Sequence, residues 1–226
     1  ERLEIKGLGK AKYILKPGGT LGDLYTNSDL VYNDDGYIEV DKNGNVAVKD
    51  DYMDDIYLGS VFPKYNLAWR NDFNYKGINL GVLFTARIGG ICYSATQANM
   101  DLYGVSEASA AARDAGGVMI NGRDMIDAQK WYQVIGSQSG LPQYYTYSAT
   151  NVRLQELSLG YTLPSKWFRD KMRMTVSFVG RNLWMIYCKA PFDPEAVAST
   201  GMNYQGIDYF MMPSMRNLGF NVKFQF

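Results

Sequence analysis

Trp131, Tyr132, Tyr144, Tyr145 and Tyr147 gather around a stretch rich in Gly, Ser and Pro, and they are the chain's main candidates for ligand chemistry. Aromatic planes offer apolar surface for stacking on sugar rings, and partly exposed tyrosine is common on recognition surfaces. Packing of one loop on its neighbours would use the same residues. Trp131, Tyr132, Tyr144 and Tyr145 are the substrate-binding candidates on the first reading. A second candidate is Asp41-Lys42-Asn43-Gly44-Asn45, with Asp50, Asp51, Asp54 and Asp55 nearby, whose oxygens around Asp41 and Asn43 could take Ca²⁺. The full EF-type pattern and its distal Glu are missing. Asn43-Gly44 also reads as a hairpin turn between Tyr37–Val40 and Val46–Val48. No other cofactor or metal is expected.

Catalysis finds little support. The 226 residues contain no histidine, which removes Ser-His and Cys-His nucleophiles and every His-ligated metal. Gly136-Ser137-Gln138-Ser139-Gly140 has the outline of a nucleophile elbow, but Gln138 stands where the serine would be. Carboxylate-pair chemistry stays formally possible, yet nothing marks a particular pair. No catalytic residue is expected, and the chain is not read as an enzyme. Cys92 and Cys188 are the two cysteines, too few for a disulfide scaffold.

The 23 basic residues balance 23 acidic ones, so there is no basic footprint for nucleic acid. With 18 Tyr, 10 Phe, 4 Trp and 23 Gly and only 20% charged residues, the composition suits a β-rich chain. The apolar runs are far too short for a transmembrane helix, which leaves a membrane barrel open because its hydropathy per strand is weak. Leu218–Phe226 alternates apolar and polar without a lapse, the pattern of a strand with one apolar face. Its length matches the roughly 9–11 residues of a tilted barrel strand and exceeds the usual five or six or so of a soluble one.

Further strands are expected in the same way. Met172, Met174, Val176 and Phe178 share a face continued by Gly180, Trp184 and Ile186. From Tyr147 to Leu163, Leu157, Leu159, Tyr161 and Leu163 form an apolar face, while Val152 and Leu154 fall on the other parity. A bulge or an exit from the hydrocarbon zone would each explain that shift. Ile78–Ile88 alternates with Leu83 as its one lapse, Tyr65–Tyr75 precedes it, and Arg2–Leu15 is a weaker sixth strand. The connections alternate in length. Tyr75-Lys76-Gly77 and Pro164 to Asp170 are short; about 16–63, 89–146 and 188–214 are long and polar. Short periplasmic turns and long extracellular loops are what an up-and-down membrane barrel shows. Trp167 and Phe168 would then lie by the inner interface, with Trp184 and Tyr187 near the outer one. The expected fold is therefore all-β: the C-terminal part, about six strands, of a large antiparallel up-and-down transmembrane β-barrel with long extracellular loops. Six strands are fewer than the eight or so of the smallest barrels, and Glu1 opens the chain without a signal-peptide pattern. Residues 1–226 are expected to be one C-terminal barrel piece without a plug.

Several segments resemble SusC/RagA-type TonB-dependent outer-membrane transporters. Val152-Arg153-Leu154-Gln155-Glu156-Leu157-Ser158-Leu159-Gly160-Tyr161-Thr162-Leu163-Pro164 resembles that family's "vRLrelsLGYtLP", and Gly180-Arg181-Asn182-Leu183 its "gRNL". Phe192-Asp193-Pro194-Glu195 matches "fDPE". Gln205-Gly206-Ile207-Asp208-Tyr209 and Pro213-Ser214-Met215-Arg216 match the lead into the terminal strand. Upstream, Leu58-Gly59, Pro63-Lys64-Tyr65, Phe73-Asn74-Tyr75-Lys76-Gly77 and Arg87-Ile88-Gly89-Gly90 resemble a further stretch, although Ala68-Trp69 replaces a Gly-containing strand. The order and spacing of these motifs span nearly the whole chain.

The resemblance implies a multi-pass barrel in the Gram-negative outer membrane that imports oligosaccharides or peptides. Its implied partners are a SusD-like surface lipoprotein as lid, TonB–ExbB–ExbD acting on N-terminal parts outside this chain, outer-membrane lipid, and the barrel-assembly machinery. Phe224 and Phe226 stand where that machinery reads a terminal aromatic strand. The alternative from another class is a non-transporting outer-membrane barrel or adhesin whose loops bind a partner.

Overall fold

The computed structural model describes residues 2–51, 54–169, 171–201 and 204–226. The chain forms two compact units, interleaved in sequence. A sheet unit comprises Pro63–Gly89, Ala149–Glu195 and Met212–Phe226. A loop unit comprises Glu1–Phe62, Gly90–Ser148 and Ala196–Met211.

The sheet unit holds five strands: β1 (Tyr65–Tyr75), β2 (Ile78–Ile88), β3 (Asn151–Thr162), β4 (Arg173–Cys188) and β5 (Asn217–Gln225). They pair in sequence order, each antiparallel to the next. The β1–β2 link is two residues, Lys76 and Gly77, both with positive φ (48° and 88°), the geometry of a tight primed hairpin turn. A Cβ on Gly77 would lie 2.9 Å from the Thr162 carbonyl oxygen, so glycine is required by space as well as by φ. The β3–β4 link carries a short 3₁₀ turn, Ser165–Phe168; Asp170, at its end, lies outside the described residues.

Register explains the sidedness of the sheet. Phe73, Leu80, Leu159, Phe178 and Phe220 line up across all five strands, and Trp69, Phe84, Leu154 and Trp184 form a parallel row. The rings of Trp69 and Phe84 stack at 5.7 Å, and those of Phe178 and Phe220 meet edge-on at 5.6 Å. On the opposite parity, Asn74, Asn79, Gly160, Ser177 and Asn221 form a polar row. The parity shift in β3 is a bulge. Leu154 and Glu156 pair with successive residues Phe84 and Leu83, leaving Gln155 as the extra residue. Opposite it, Asn182 of β4 adopts φ 52°. One inserted residue returns Val152 and Leu154 to the face that carries Leu157 and Leu159.

The apolar face has no cover in the sheet unit. Trp69, Leu159, Trp184 and Phe220 are 64%, 55%, 61% and 82% exposed, and Trp167 in the short turn is exposed too. An exposed apolar surface this extensive on strands of 9 to 16 residues is foreign to a soluble monomer.

The loop unit corrects one expectation. Arg2–Leu15 is not a sixth strand of the sheet but a hairpin, Leu3–Leu8 with Ala11–Leu15, within a separate four-stranded sheet completed by Asp23–Thr26 and Ile56–Ser60. Gly9 has φ 61° at the turn, and a Cβ there would sit 1.8 Å from the Gln138 carbonyl oxygen. The chain folds back because Gly9 lets it turn against a segment 129 residues away (138 − 9). Ile91–Ser94 lies between Thr146–Ser148 and Ile207–Asp208, and Val118–Ile120 pairs with Asp124–Ile126. Three helices follow capped starts. Ser94 caps α1 (Ala95–Leu102), Ser106 caps α2 (Glu107–Asp114) and Asp127 caps α3 (Ala128–Ile135), each side chain accepting a backbone N–H. α2 is closed at Gly116 and Gly117, whose backbone N–H groups donate to the Arg113 and Ala112 carbonyls at 3.0 and 2.8 Å.

Ala11, Tyr13, Leu24, Tyr93, Leu141 and Ile207 meet in one buried core drawn from all three stretches of the loop unit. The long connections are therefore not independent loops. Leu24 is fully buried, and truncating such a side chain costs about 2–5 kcal/mol. Leu24→Ala should raise amide exchange throughout 1–62, 90–148 and 196–211 while β1–β5 stay protected. Exchange rising in the sheet to the same degree would contradict the division into two units.

Candidate functional site

One buried guanidinium gathers four of the motifs. Arg153 of β3 is almost fully buried, its side chain only 3% exposed. Its Nε donates to Asn151 Oδ1 at 3.0 Å, and Nη1 donates to Asp193 Oδ2 and Ser214 Oγ, both at 3.2 Å. Nη2 donates to Asp193 Oδ1 and stands 3.3 Å from Glu195 Oε2. The Ser214 hydroxyl donates to Asp193, and Asn182 Nδ2 donates to the Ser214 carbonyl at 3.0 Å. Asn151 Nδ2 reaches Glu195 Oε1 at 3.1 Å. A planar guanidinium suits this fork-like contact with a carboxylate. Arg153, Asn182, the Asp193–Glu195 pair and Ser214 come from four different motifs, spread over 62 residues of sequence (153 to 214). Together they fasten the connection between β4 and β5 to the sheet.

A second charged group lies on the polar face of the sheet. Arg70, Leu83, Glu156, Arg181 and Asn217 form one cross-strand row. Glu156 accepts from Arg181 Nε at 2.9 Å and lies 3.7 Å from Arg70, which also pairs with Asp72 at 2.9 Å. These ions need water or a polar partner on that side.

The candidates taken from sequence divide. Trp131 and Tyr145 are buried in the loop-unit core, whereas Tyr144 is exposed and Tyr132 half-buried. Trp131 meets Tyr144 edge-on at 5.9 Å. Tyr145 donates its hydroxyl to Asp101 Oδ2 at 2.9 Å, and burial followed by that carboxylate's charge pushes the phenol far above its ordinary range. Four aromatic residues close in sequence thus point to different jobs, because Trp131 lies on the inward face of α3 and Tyr144 and Tyr145 alternate sides of a 3₁₀ turn. Around Asp41 the structure has the hairpin: Val40 bridges Val46, and Asp41 Oδ1 accepts from the backbone of Asn43 and Asn45, both at 2.8 Å. Oδ2 accepts from Asn45 Nδ2, so the carboxylate serves its own turn. The backbone N–H of Asn45, first among these bonds, holds the Asp41 carboxyl below its ordinary value. Phe224 and Phe226 are both exposed, and neither cysteine is in a disulfide. Sequence reading missed the Arg153 node; the one available signal was a lone arginine on an otherwise apolar parity, which the bulge disguised.

The node has a pH signature. Burial works to raise Asp193, but hydrogen bonds from Arg153 and Ser214 outweigh it and hold the carboxyl below its ordinary 3.8. A carboxyl depressed in the folded state stabilises above its unfolded value and loses that contribution as pH falls through the folded one. Amide protection of residues 189–195 and 212–216 should therefore hold above about pH 4 and fall below it. Arg153→Met, which leaves the buried Asp193 carboxylate without its cation at a cost of about 3–5 kcal/mol, should lack that protection at neutral pH. Protection unchanged in Arg153→Met would show that the node fastens nothing.

No family model matches the chain. A curated relative, the TonB-dependent receptor P3 of Formosa agariphila, is 25% identical over 198 residues, which are 83% of this chain and 19% of the relative. The chain thus spans about a fifth of the length of that relative. Two solved structures share the fold. The RagAB peptide importer in its "closed-closed" state matches with TM-score 0.51 and 15% identity over 95% of this chain and 25% of the other. The "open-open" state matches with TM-score 0.51 and 13% identity over 99% and 27%. These relatives are a receptor and an importer, not enzymes. The chain is thus similar in sequence to a TonB-dependent receptor and in fold to part of the RagAB peptide importer.

Proposed function

We propose that this chain supplies barrel strands and outer loops to a TonB-dependent importer of oligosaccharides or peptides in a Gram-negative outer membrane. The observation that carries the reading is the sidedness of β1–β5. A wide apolar face lies fully open, and the reverse face bears the Arg70–Glu156–Arg181 ions. Lipid on one side and a watery lumen on the other satisfy both. β1 and β5 each carry an unpaired edge of the sheet, and in hydrocarbon such edges require further strands. The short connections belong on the periplasmic side and the long ones outside.

A SusD-like lipoprotein as lid and TonB–ExbB–ExbD as energy source follow from the family resemblance. Among the loop aromatics, Tyr144 and Tyr132 retain surface for substrate; Trp131 and Tyr145 would support them from beneath. Phe224 and Phe226 would act in barrel assembly.

Placing arginine on the lipid face near mid-membrane costs about 2–4 kcal/mol, and on the lumen face far less. In the whole protein, Val222→Arg should sharply reduce heat-modifiable folded barrel while Asn221→Arg leaves it nearly intact. Equal tolerance at both positions would defeat the membrane assignment. Removal of Phe226 should lower the amount of folded barrel yet leave uptake per folded molecule unchanged. Normal barrel levels with uptake lost would give Phe226 a transport role instead.

A further inference from the structure

Asp101 is an unusual residue in the loop unit. It is 5% exposed, and its oxygens accept from neutral groups, Gln97 Nε2 at 3.1 Å and the Tyr145 hydroxyl at 2.9 Å. Among the described residues it forms no ion pair. A buried carboxylate without a cation is costly, and interiors normally pair such charges. Tyr132 and Tyr147 flank it; burial, then its negative charge, raises both phenols, so they remain neutral donors.

Asp101 borders a pocket of about 190 Å³ enclosed by α1, α2 and α3, with Tyr103, Ser109, Gln129, Tyr132 and Arg113 among its lining. Arg113 is the complementary case. It is exposed, donates Nη1 to the Gly104 carbonyl at 2.7 Å, and forms no ion pair among the described residues. A guanidinium carries five N–H donors, and this one bond leaves most of them unused. One small pocket is thus lined by both a buried acidic residue and an exposed arginine. Its volume is below the roughly 300–1,000 Å³ of pockets for drug-sized ligands, which calls for a molecule of only a few heavy atoms.

We propose that this pocket binds a free α-amino acid, its ammonium held by Asp101 and its carboxylate by Arg113. The ammonium compensates the buried charge, and tyrosine rings beside it add cation–π attraction. The fork of Arg113 matches a carboxylate. The inference concerns the loop unit alone and does not rest on the transport reading.

Hydrogen exchange on the whole protein in detergent micelles tests it, with L-alanine, propylamine and propionate as probes. L-Alanine should slow exchange within residues 95–135; propylamine should do so more weakly and propionate not at all. Asp101→Asn should weaken L-alanine binding at least tenfold. Because a buried substitution can disturb folding, Arg113→Met supplies the independent arm, since its side chain is exposed. It should weaken L-alanine at least tenfold and leave propylamine unchanged. No protection by L-alanine at any soluble concentration, or equal L-alanine binding by Arg113→Met, would overturn the proposal. Propionate protecting as well as L-alanine would also overturn it, because Asp101 would then have no part.

Discussion

The arrangement of the sheet depends on the register of β3 between β2 and β4. Each strand residue points to one face only, so a slip by one position would exchange the apolar and polar faces throughout. Eleven or so residues of strict alternation would hold that register by themselves, but β3 contains a break at Gln155. The break is matched in β4, where Asn182 takes a left-handed conformation and Leu154 still meets Trp184. Were Gln155 paired as an ordinary strand residue instead of bulged out, Leu154 would turn onto the side of Glu156 and place an aliphatic side chain among the Arg70–Glu156–Arg181 ions. The bulge keeps one continuous apolar surface on a strand that also presents Arg153.

Arg153 joins that register to the connection beyond β4. A buried ion cluster is seldom a source of net stability, because desolvation offsets most of the attraction. Its value here is in specificity. A guanidinium with Asp193, Glu195, Asn151, Asn182 and Ser214 around it accepts few alternative arrangements, whereas an apolar contact would accept many. Residues 189–195 and 212–216 are thereby held at the sheet in a defined way, and β5 pairs with β4 from Arg173↔Gln225 to Arg181↔Asn217. The loop unit follows another logic. Its three stretches share one buried core around Tyr13, Leu24 and Ile207, and that common burial compensates the ordering of so much chain.

What the sequence makes legible follows from the range of each interaction. Period-2 alternation is local, so Tyr65–Tyr75, Ile78–Ile88 and Leu218–Phe226 could be read as strands from their own residues. The turn at Lys76-Gly77 and the cap at Ser106 are equally local. The bulge was visible as a parity shift, but its cause needed the neighbours of β3. The hairpin at Gly9 was hidden because the reason for it is Gln138, which no window along the chain brings near. Trp131 and Tyr145 looked like ligand contacts because composition cannot tell the inward face of a loop-built core from its surface. Arg153 and Asp101 each depend on partners from several segments; Arg153 shows locally only as an arginine on an apolar parity, and nothing in the immediate sequence of Asp101 announces a buried ion.

The central claim, that one face of this sheet meets lipid and the other water with the phase changing at Gln155, is tested most directly by spin labels along β3. Labels placed singly from Val152 to Tyr161 in the whole protein, reconstituted in bilayers, would be read for collision with oxygen and with a water-soluble nickel chelate. Oxygen access should peak at 152, 154, 157, 159 and 161, and chelate access at 156 and 158, with the phase shifting by one residue at 155. An unbroken alternation through 155, or water access at every position, would contradict the account.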